Sequence, residues 1–182
     1  MLLDASDSLV VIVDVQEKLA PVIHQRDQLI GRMRWLGEIA NELAVSVLVT
    51  EQYPKGLGIS VDDLAAVIEN SRVIEKMHFS AWQEPTFVDA VKETEKRQII
   101  LMGMETHVCI LQTAIDLKAA GYSVYVVEDA VGSRRETDKQ AGLHRMRQHG
   151  IEVITSEMAA YEWLHRSGND TFRHITKNWI RG

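Results

Sequence analysis

The chain has 182 residues, of which 46% are apolar and 25% charged, values typical of one globular domain. Its 26 acidic and 20 basic residues give a net charge of −6, which excludes the general positive field of many nucleic-acid-binding proteins. The single cysteine, Cys109, excludes an intramolecular disulfide and a four-cysteine zinc site.

Residues 1–14 contain no basic stretch, and their apolar run is far shorter than the roughly 20 residues that a membrane span needs. We therefore expect a cytoplasmic protein that binds neither membranes nor nucleic acid.

Six short β-branched runs alternate with helix-like stretches along the chain. The predicted strands are residues 9–13, 45–49, 72–75, 98–102, 123–127 and 151–154. The predicted helices are residues 27–43, 60–68, a helix opening at 84–86, and residues 106–120, 137–149 and 157–165. Apolar strands that are each followed by a helix predict a Rossmann-like or flavodoxin-like parallel sheet covered on both faces. The eight units of a TIM barrel would need a longer chain.

Polar residues follow the predicted strands where parallel sheets bind ligands, at the strands' carboxyl ends. Asp14 ends the first predicted strand, and Lys76 ends the third. Cys109 lies in the helix that follows the fourth strand, and we expect Thr106 to cap this helix. Alone, each residue fits a structural role: a helix cap, a solvated lysine and a buried thiol. Together they predict a crevice in which the helix N-terminus and Lys76 lower the thiol pKa and Asp14 accepts the thiol proton. Gly103 would let the chain turn sharply out of the fourth strand.

Three segments carry a family resemblance. They are Asp14-Val-Gln16, Lys76 with Ser80-Ala81-Trp82, and Gly103-Met-Glu-Thr106-His-Val-Cys109. These segments resemble the isochorismatase-like cysteine hydrolases. The stretch at residues 50–58 is similar to the isochorismatase-domain-containing proteins of animals and their bacterial relatives.

The resemblance implies one hydrolase domain over residues 1–182, a three-layer α/β/α sandwich. Its six-stranded parallel sheet would have the order 3-2-1-4-5-6. It also implies an Asp14-Lys76-Cys109 triad acting on a small amide or related C–N bond. The Glu105 and Cys109 backbone N–H groups would form the oxyanion hole, next to a cis Met104–Glu105 peptide bond.

The sequence departs from two groups of the family in ways that disfavour their reactions. Nicotinamidases carry metal-binding histidines after the second strand, where this chain has Glu51-Gln-Tyr53, so we expect no metal and no other cofactor. Isochorismate hydrolases typically lack the cysteine, so its presence disfavours that reaction. A catalytically quiet homo-oligomeric scaffold of the same fold stays open. A nucleotide- or flavin-binding module is disfavoured because no glycine-rich phosphate loop appears.

Further candidates surround the triad and the carboxyl end of the chain. The residues that we expect to line a substrate pocket are Gln16, Tyr53, Phe79, Trp82 and His107. Residues 157–182 are predicted to be helical and rich in aromatic side chains, which could cover a flank of the domain or contact a neighbouring subunit. We expect a homo-oligomer, either a dimer or a tetramer.

Overall fold

The computed structural model describes residues 1–69 and 71–180. Its strands form one parallel sheet in the order β3-β2-β1-β4-β5-β6, which confirms the predicted topology. The strands are β1 (Ser8–Val13), β2 (Ser46–Gln52), β3 (Arg72–Lys76), β4 (Gln98–Met104), β5 (Ser123–Gly132) and β6 (Glu152–Ile154). The switch in strand order falls between β1 and β4, so a crevice opens at the carboxyl ends of these two central strands.

Helices cover both faces of the sheet. They are α1 (Arg26–Glu42), α2 (Pro54–Leu57), α3 (Ala65–Ile68), α4 (Pro85–Glu93), α5 (Leu111–Ala119), α6 (Glu136–Gln148), α7 (Ser156–Leu164) and α8 (Asp170–Ile175). Alternate residues of β1 face opposite cores: Val10 and Ile12 pack with α1, α7 and α8, whereas Leu9 and Val11 pack with α4, α5 and α6. A strand buried on both faces must be apolar at every position, which explains the unbroken LVVIV run.

Two predicted helices differ in detail from the observed ones. The predicted helix at 60–68 is divided into a 3-10 turn, Asp62–Leu64, and the short α3. The predicted helix at 106–120 begins with a π-helical turn, Thr106–Ile110, before α5. Thr106 does not cap this segment, because its hydroxyl is buried without a hydrogen-bond partner among the described residues.

The aromatic carboxyl-terminal segment packs largely on its own domain. Trp163 is buried and donates to Ser8 Oγ at 2.9 Å, and Phe172 packs against the same core. Trp179 donates from Nε1 to Glu38 Oε2 at 3.0 Å, and its carbonyl accepts from Trp35 Nε1 at 2.6 Å. The segment therefore covers α1. Within residues 1–69 and 71–180, no helix combines the length and apolar character needed to cross a membrane.

Candidate active site

Asp14 follows β1 directly and lies in strained backbone. Its φ of +55° falls in the left-handed region that non-glycine residues seldom adopt, although aspartate tolerates it better than most. The Asp14 N–H donates to the Thr50 carbonyl at 3.0 Å, and Asp14 Oδ1 accepts from Thr50 Oγ1 at 2.8 Å. Both bonds to β2 hold the fully buried carboxylate at the switch point of the sheet.

Gly103 lets β4 approach β1 immediately below Asp14. Its φ is +132°, and a Cβ built on it would collide with the Val13 carbonyl oxygen and lie 2.7 Å from the Val13 nitrogen. Only a residue without a side chain fits this approach. The glycine thus fixes the spacing of the two strands whose ends carry the site, in addition to allowing the turn that the sequence predicted.

Lys76 ends β3 and reaches the same point with a fully buried side chain. Its Nζ lies 2.8 Å from Asp14 Oδ2. The same ammonium donates to Gln52 Oε1 at 2.6 Å and to the carbonyls of Phe79 and His78 at 3.1 and 3.2 Å. Because an ammonium has three protons, these three acceptors use its full donor capacity.

At 2.8 Å the contact between Lys76 and Asp14 is an ion pair whose angles do not make a hydrogen bond. Asp14 Oδ2 is buried and has no hydrogen-bond partner among the described residues, although the Lys76 charge lies beside it. A buried carboxylate oxygen in this condition costs free energy, and natural proteins seldom leave one without a reason. The oxygen is free to accept a proton.

Cys109 lies in the π-helical turn and is 5% exposed. The Glu105 carbonyl accepts from the amides of Val108 and Ile110, the latter a bond that spans five residues. Burial, followed by the charge of Asp14, raises the pKa of the Cys109 thiol to about 12, while Lys76 acts in the opposite direction. The predicted lowering of the thiol pKa is thus wrong, because desolvation outweighs the nearby cation.

Burial also raises the pKa of Asp14, and Lys76 opposes that shift too. One cation beside two acidic groups cannot stabilise two buried negative charges, so Asp14 and Cys109 are not ionised together. The resting site therefore contains a neutral thiol beside Asp14, and the thiolate forms as Asp14 accepts the thiol proton.

The segment before Cys109 is held by the loop that precedes α6. The Met104–Glu105 peptide bond is trans, so the expected cis bond is not present. Glu105 Oε1 accepts from Arg134 Nε at 2.8 Å. Ser133 Oγ accepts from the Thr106 N–H at 3.1 Å, and so takes the capping role expected of Thr106.

A cavity of about 380 Å³ opens above Asp14 and Cys109. Of the five predicted pocket residues, Phe79 lines it. The other lining residues are Leu19, Val22, Gln52, Leu57, Glu105, Val108 and Arg134. Five of the lining side chains are apolar, which suits a substrate with an apolar portion.

The other four predicted pocket residues lie elsewhere. Gln16 is buried, and its amide is used by the backbone of Gln52 and Gly58, so it fixes the loop after β2. Tyr53 is about half exposed outside the cavity. Trp82 packs edge-on against aromatic rings of the core, and His107 Nδ1 lies 3.0 Å from Ser133 Oγ.

At the end of β2, where nicotinamidases carry metal-binding histidines, this chain has Glu51, whose carboxylate is used by Ser60. Glu51 Oε1 accepts from the Ser60 N–H at 2.7 Å and from Ser60 Oγ at 2.8 Å. Across the described ranges 1–69 and 71–180, no three histidine, cysteine or acidic side chains are grouped closely enough to hold a metal ion. Independence from metal stays a prediction.

Comparison with known sequences identifies relatives along most of the chain. The family model for the isochorismatase domain matches residues 8–158. Isochorismatase family protein 1A of Dictyostelium discoideum is 34% identical over 95% of this chain and 86% of its own length. Isochorismatase domain-containing protein 2 of Danio rerio is 34% identical over 96% of this chain and 88% of its own length.

Solved structures of similar proteins have the same fold as this chain. The structure named MAR1 ribonuclease from Caenorhabditis elegans is 36% identical, with a TM-score of 0.91 over 97% of this chain and 91% of that one. The YcaC gene product of Escherichia coli, described as an octameric hydrolase of unknown specificity, is 29% identical. It superposes with a TM-score of 0.92 over 100% of this chain and 92% of its own. A nicotinamidase from Staphylococcus aureus is 17% identical with a TM-score of 0.73, which is a likeness of fold alone.

Proposed function

Because this chain belongs to the isochorismatase family, we propose that it is a cysteine hydrolase acting on a small amide or a related C–N bond. Asp14, Lys76 and Cys109 would form its catalytic triad. The observation that carries the proposal is the buried Asp14 Oδ2. It accepts no hydrogen bond from the described residues, lies 2.8 Å from Lys76 Nζ, and belongs to the group that lines a cavity together with Cys109.

The reaction begins with the neutral thiol. Asp14 Oδ2 takes the proton from Cys109 Sγ as the sulfur attacks the carbonyl carbon, so a C–S bond forms and the carbonyl oxygen becomes an oxyanion. The backbone N–H groups of Glu105 and Cys109 donate to that oxyanion. Lys76 stabilises the negative charge near Asp14 and Cys109 during the transfer, acting through charge at short range in a buried site.

The intermediate then collapses. The C–N bond breaks as Asp14 returns its proton to the nitrogen, which leaves as ammonia or an amine, and a thioester to Cys109 remains. Asp14 next takes a proton from water, whose oxygen attacks the thioester. The C–S bond breaks, the acid leaves, and the proton returns to the thiol, so that atoms and charge balance.

The size and lining of the cavity favour a small substrate. About 380 Å³ lies at the lower end of the usual range for small-molecule sites, and five of the ten lining side chains are apolar. The net charge of −6 disfavours a long polyanion, although several structural relatives carry the name ribonuclease. Nicotinamide and isochorismate are disfavoured by the residues after β2 and by the cysteine.

A homo-oligomer is part of the proposal, and the octameric YcaC relative supports it. If the chain were a catalytically quiet scaffold, assembly would be its main property and Cys109 would be dispensable. Sedimentation at micromolar concentration separates these cases when it is combined with activity. A monomer would contradict the proposed assembly, whereas an assembled chain that hydrolyses no amide would favour the scaffold.

The test is a panel of small primary and secondary amides, with nicotinamide, isochorismate and an unstructured RNA as further arms, assayed for product release. We expect turnover of at least one small amide by the wild type and its near loss in Cys109→Ser. A serine hydroxyl is a weaker acid than a thiol and a poorer nucleophile. Cys109→Ala gives a matched variant of similar size. Cleavage of RNA with no amide hydrolysis, or normal turnover by Cys109→Ser, would refute the proposal.

A further inference from the structure

We propose that Gln52 is a positioning residue that accepts one proton of the Lys76 ammonium, so that Asp14 Oδ2 receives the ammonium charge without a directed hydrogen bond and stays free for the thiol proton. The inference rests on the proposed function, because it assigns a purpose to the free oxygen. Gln52 would touch neither the bond that breaks nor the sulfur, and would act through Lys76.

The three hydrogen bonds of Lys76 carry the argument. Gln52 Oε1 accepts the shortest, at 2.6 Å, and the Phe79 and His78 carbonyls accept the other two. Since these acceptors use all three ammonium protons, Asp14 Oδ2 receives the positive charge of Lys76 without a proton pointed at it. The arrangement supplies electrostatic stabilisation and keeps an oxygen lone pair available.

Gln52 is itself fixed at every polar group. Its side-chain Nε2 donates to the Met77 carbonyl at 2.9 Å, so Oε1 must face Lys76. The Gln52 backbone N–H donates to Gln16 Oε1 at 2.8 Å, and its carbonyl accepts from Gln16 Nε2 at 3.0 Å. The amide cannot flip without losing both side-chain bonds, and its orientation is therefore determined.

The two carbonyl acceptors are fixed by a separate carboxylate. Glu84 Oε1 accepts from the N–H groups of Met77 and His78 at 2.8 and 3.0 Å, and this holds the loop after β3. Gln52 and this loop thus approach the ammonium from two elements. Of the three acceptors, only the Gln52 oxygen can be removed by substituting a side chain.

The loss of this acceptor has a defined consequence. A freed ammonium proton would turn to the nearest unsatisfied acceptor, Asp14 Oδ2, only 2.8 Å away. A hydrogen bond to the ionised carboxylate lowers its pKa and weakens it as a base. The titratable groups facing Asp14 are Lys76 and Cys109, with Glu105 and Arg134 on the wall of the same cavity.

Alkylation of Cys109 by iodoacetamide, followed by intact mass across a pH series, tests the proposal without a known substrate. Gln52→Leu removes the acceptor at similar size. Gln52→Glu keeps an acceptor but adds a negative charge. The rate of alkylation should rise with pH along an acidic limb, as Asp14 ionises, and then reach a plateau. We expect Gln52→Leu to lower the plateau rate by about tenfold or more and to move the acidic limb to lower pH. Gln52→Glu should move that limb to higher pH, because a second anion opposes ionisation of Asp14.

Gln83→Leu is the matched control, since Gln83 is exposed and bonds to Asp116 rather than to the triad. Its profile should equal that of the wild type. Opposite shifts in the two Gln52 variants support the proposal, because loss of packing alone would not reverse direction with charge. An acidic limb that stays unchanged in both Gln52 variants, or that shifts in the same direction in both, would overturn the proposal. Cys109→Ser that still hydrolyses amides would overturn the proposed function instead, so the two failures are distinguishable.

Discussion

Gly103 offers a test of how the fold builds the site, through Gly103→Ala. The new Cβ would lie 2.7 and 2.8 Å from the nitrogen and carbonyl carbon of Val13, and closer still to its oxygen. These are backbone atoms at the centre of the sheet, so they cannot rotate away as a side chain would. β1 and β4 must separate at the residue before Asp14.

The expected cost has two parts. A φ of +132° for alanine costs about 1–3 kcal/mol in backbone strain. The collision adds about 1–3 kcal/mol, which is typical of overpacking in a rigid core. Gly121→Ala is the matched control, because Gly121 has a φ of +96° but open space where a Cβ would lie. Gly121→Ala should show the cost of backbone strain without the cost of a collision.

Urea unfolding followed by circular dichroism measures both variants, and iodoacetamide labelling of Cys109 reports on the site. Gly103→Ala should be destabilised more than Gly121→Ala, and it alone should lose most of the labelling rate, because Asp14 moves with β1. Equal destabilisation, or a labelling rate like that of the wild type in Gly103→Ala, would refute the reasoning that this close approach sets the position of Asp14.

Three other outcomes can be measured. Lys76→Met should lower the free energy of unfolding at pH 8 by about 3–5 kcal/mol, because it leaves the buried Asp14 charge without its partner; a loss that does not shrink in acid, where Asp14 is protonated, would contradict this. Glu84 has its pKa lowered from 4.5 to about 2, chiefly by the His78 N–H, so its ionised form stabilises the fold above about pH 5 and that contribution disappears as pH falls towards 2. The stability gap between wild type and Glu84→Gln should follow this course, and a gap that persists at pH 2 would refute it. Exhaustive chelation should leave the activity on any substrate found unchanged, whereas loss that zinc, manganese or iron restores would show a metal requirement.

The sheet could be predicted because its strands are buried on both faces. A strand such as β1 then has apolar residues at every position, and the polar residue that follows it, Asp14, marks its end. The same reasoning located Lys76 and Cys109, since strand ends in a parallel sheet meet at one edge. The local sequence reveals the strands and their ends because a strand buried along its whole length is apolar throughout, and the first polar residue marks where it stops.

The pocket walls and the thiol pKa could not be obtained in the same way. Leu19 and Val22 come from the loop between β1 and α1, and nothing in their local pattern separates a cavity wall from a core residue. Gln16 belongs to a recognisable segment, yet its amide is used by the backbone. The direction of the Cys109 pKa shift depends on burial against charge, which only the folded arrangement determines.

The most direct test of the proposed function is rapid-quench mass spectrometry of the enzyme turning over a small amide. The mechanism predicts an acyl adduct that maps to Cys109, forms in the wild type and is absent from Cys109→Ser. Asp14→Asn should form it at least a hundredfold more slowly, because the amide cannot accept the thiol proton. Steady turnover with no adduct on Cys109, at a rate that Cys109→Ser matches, would contradict the assignment of Cys109 as the nucleophile.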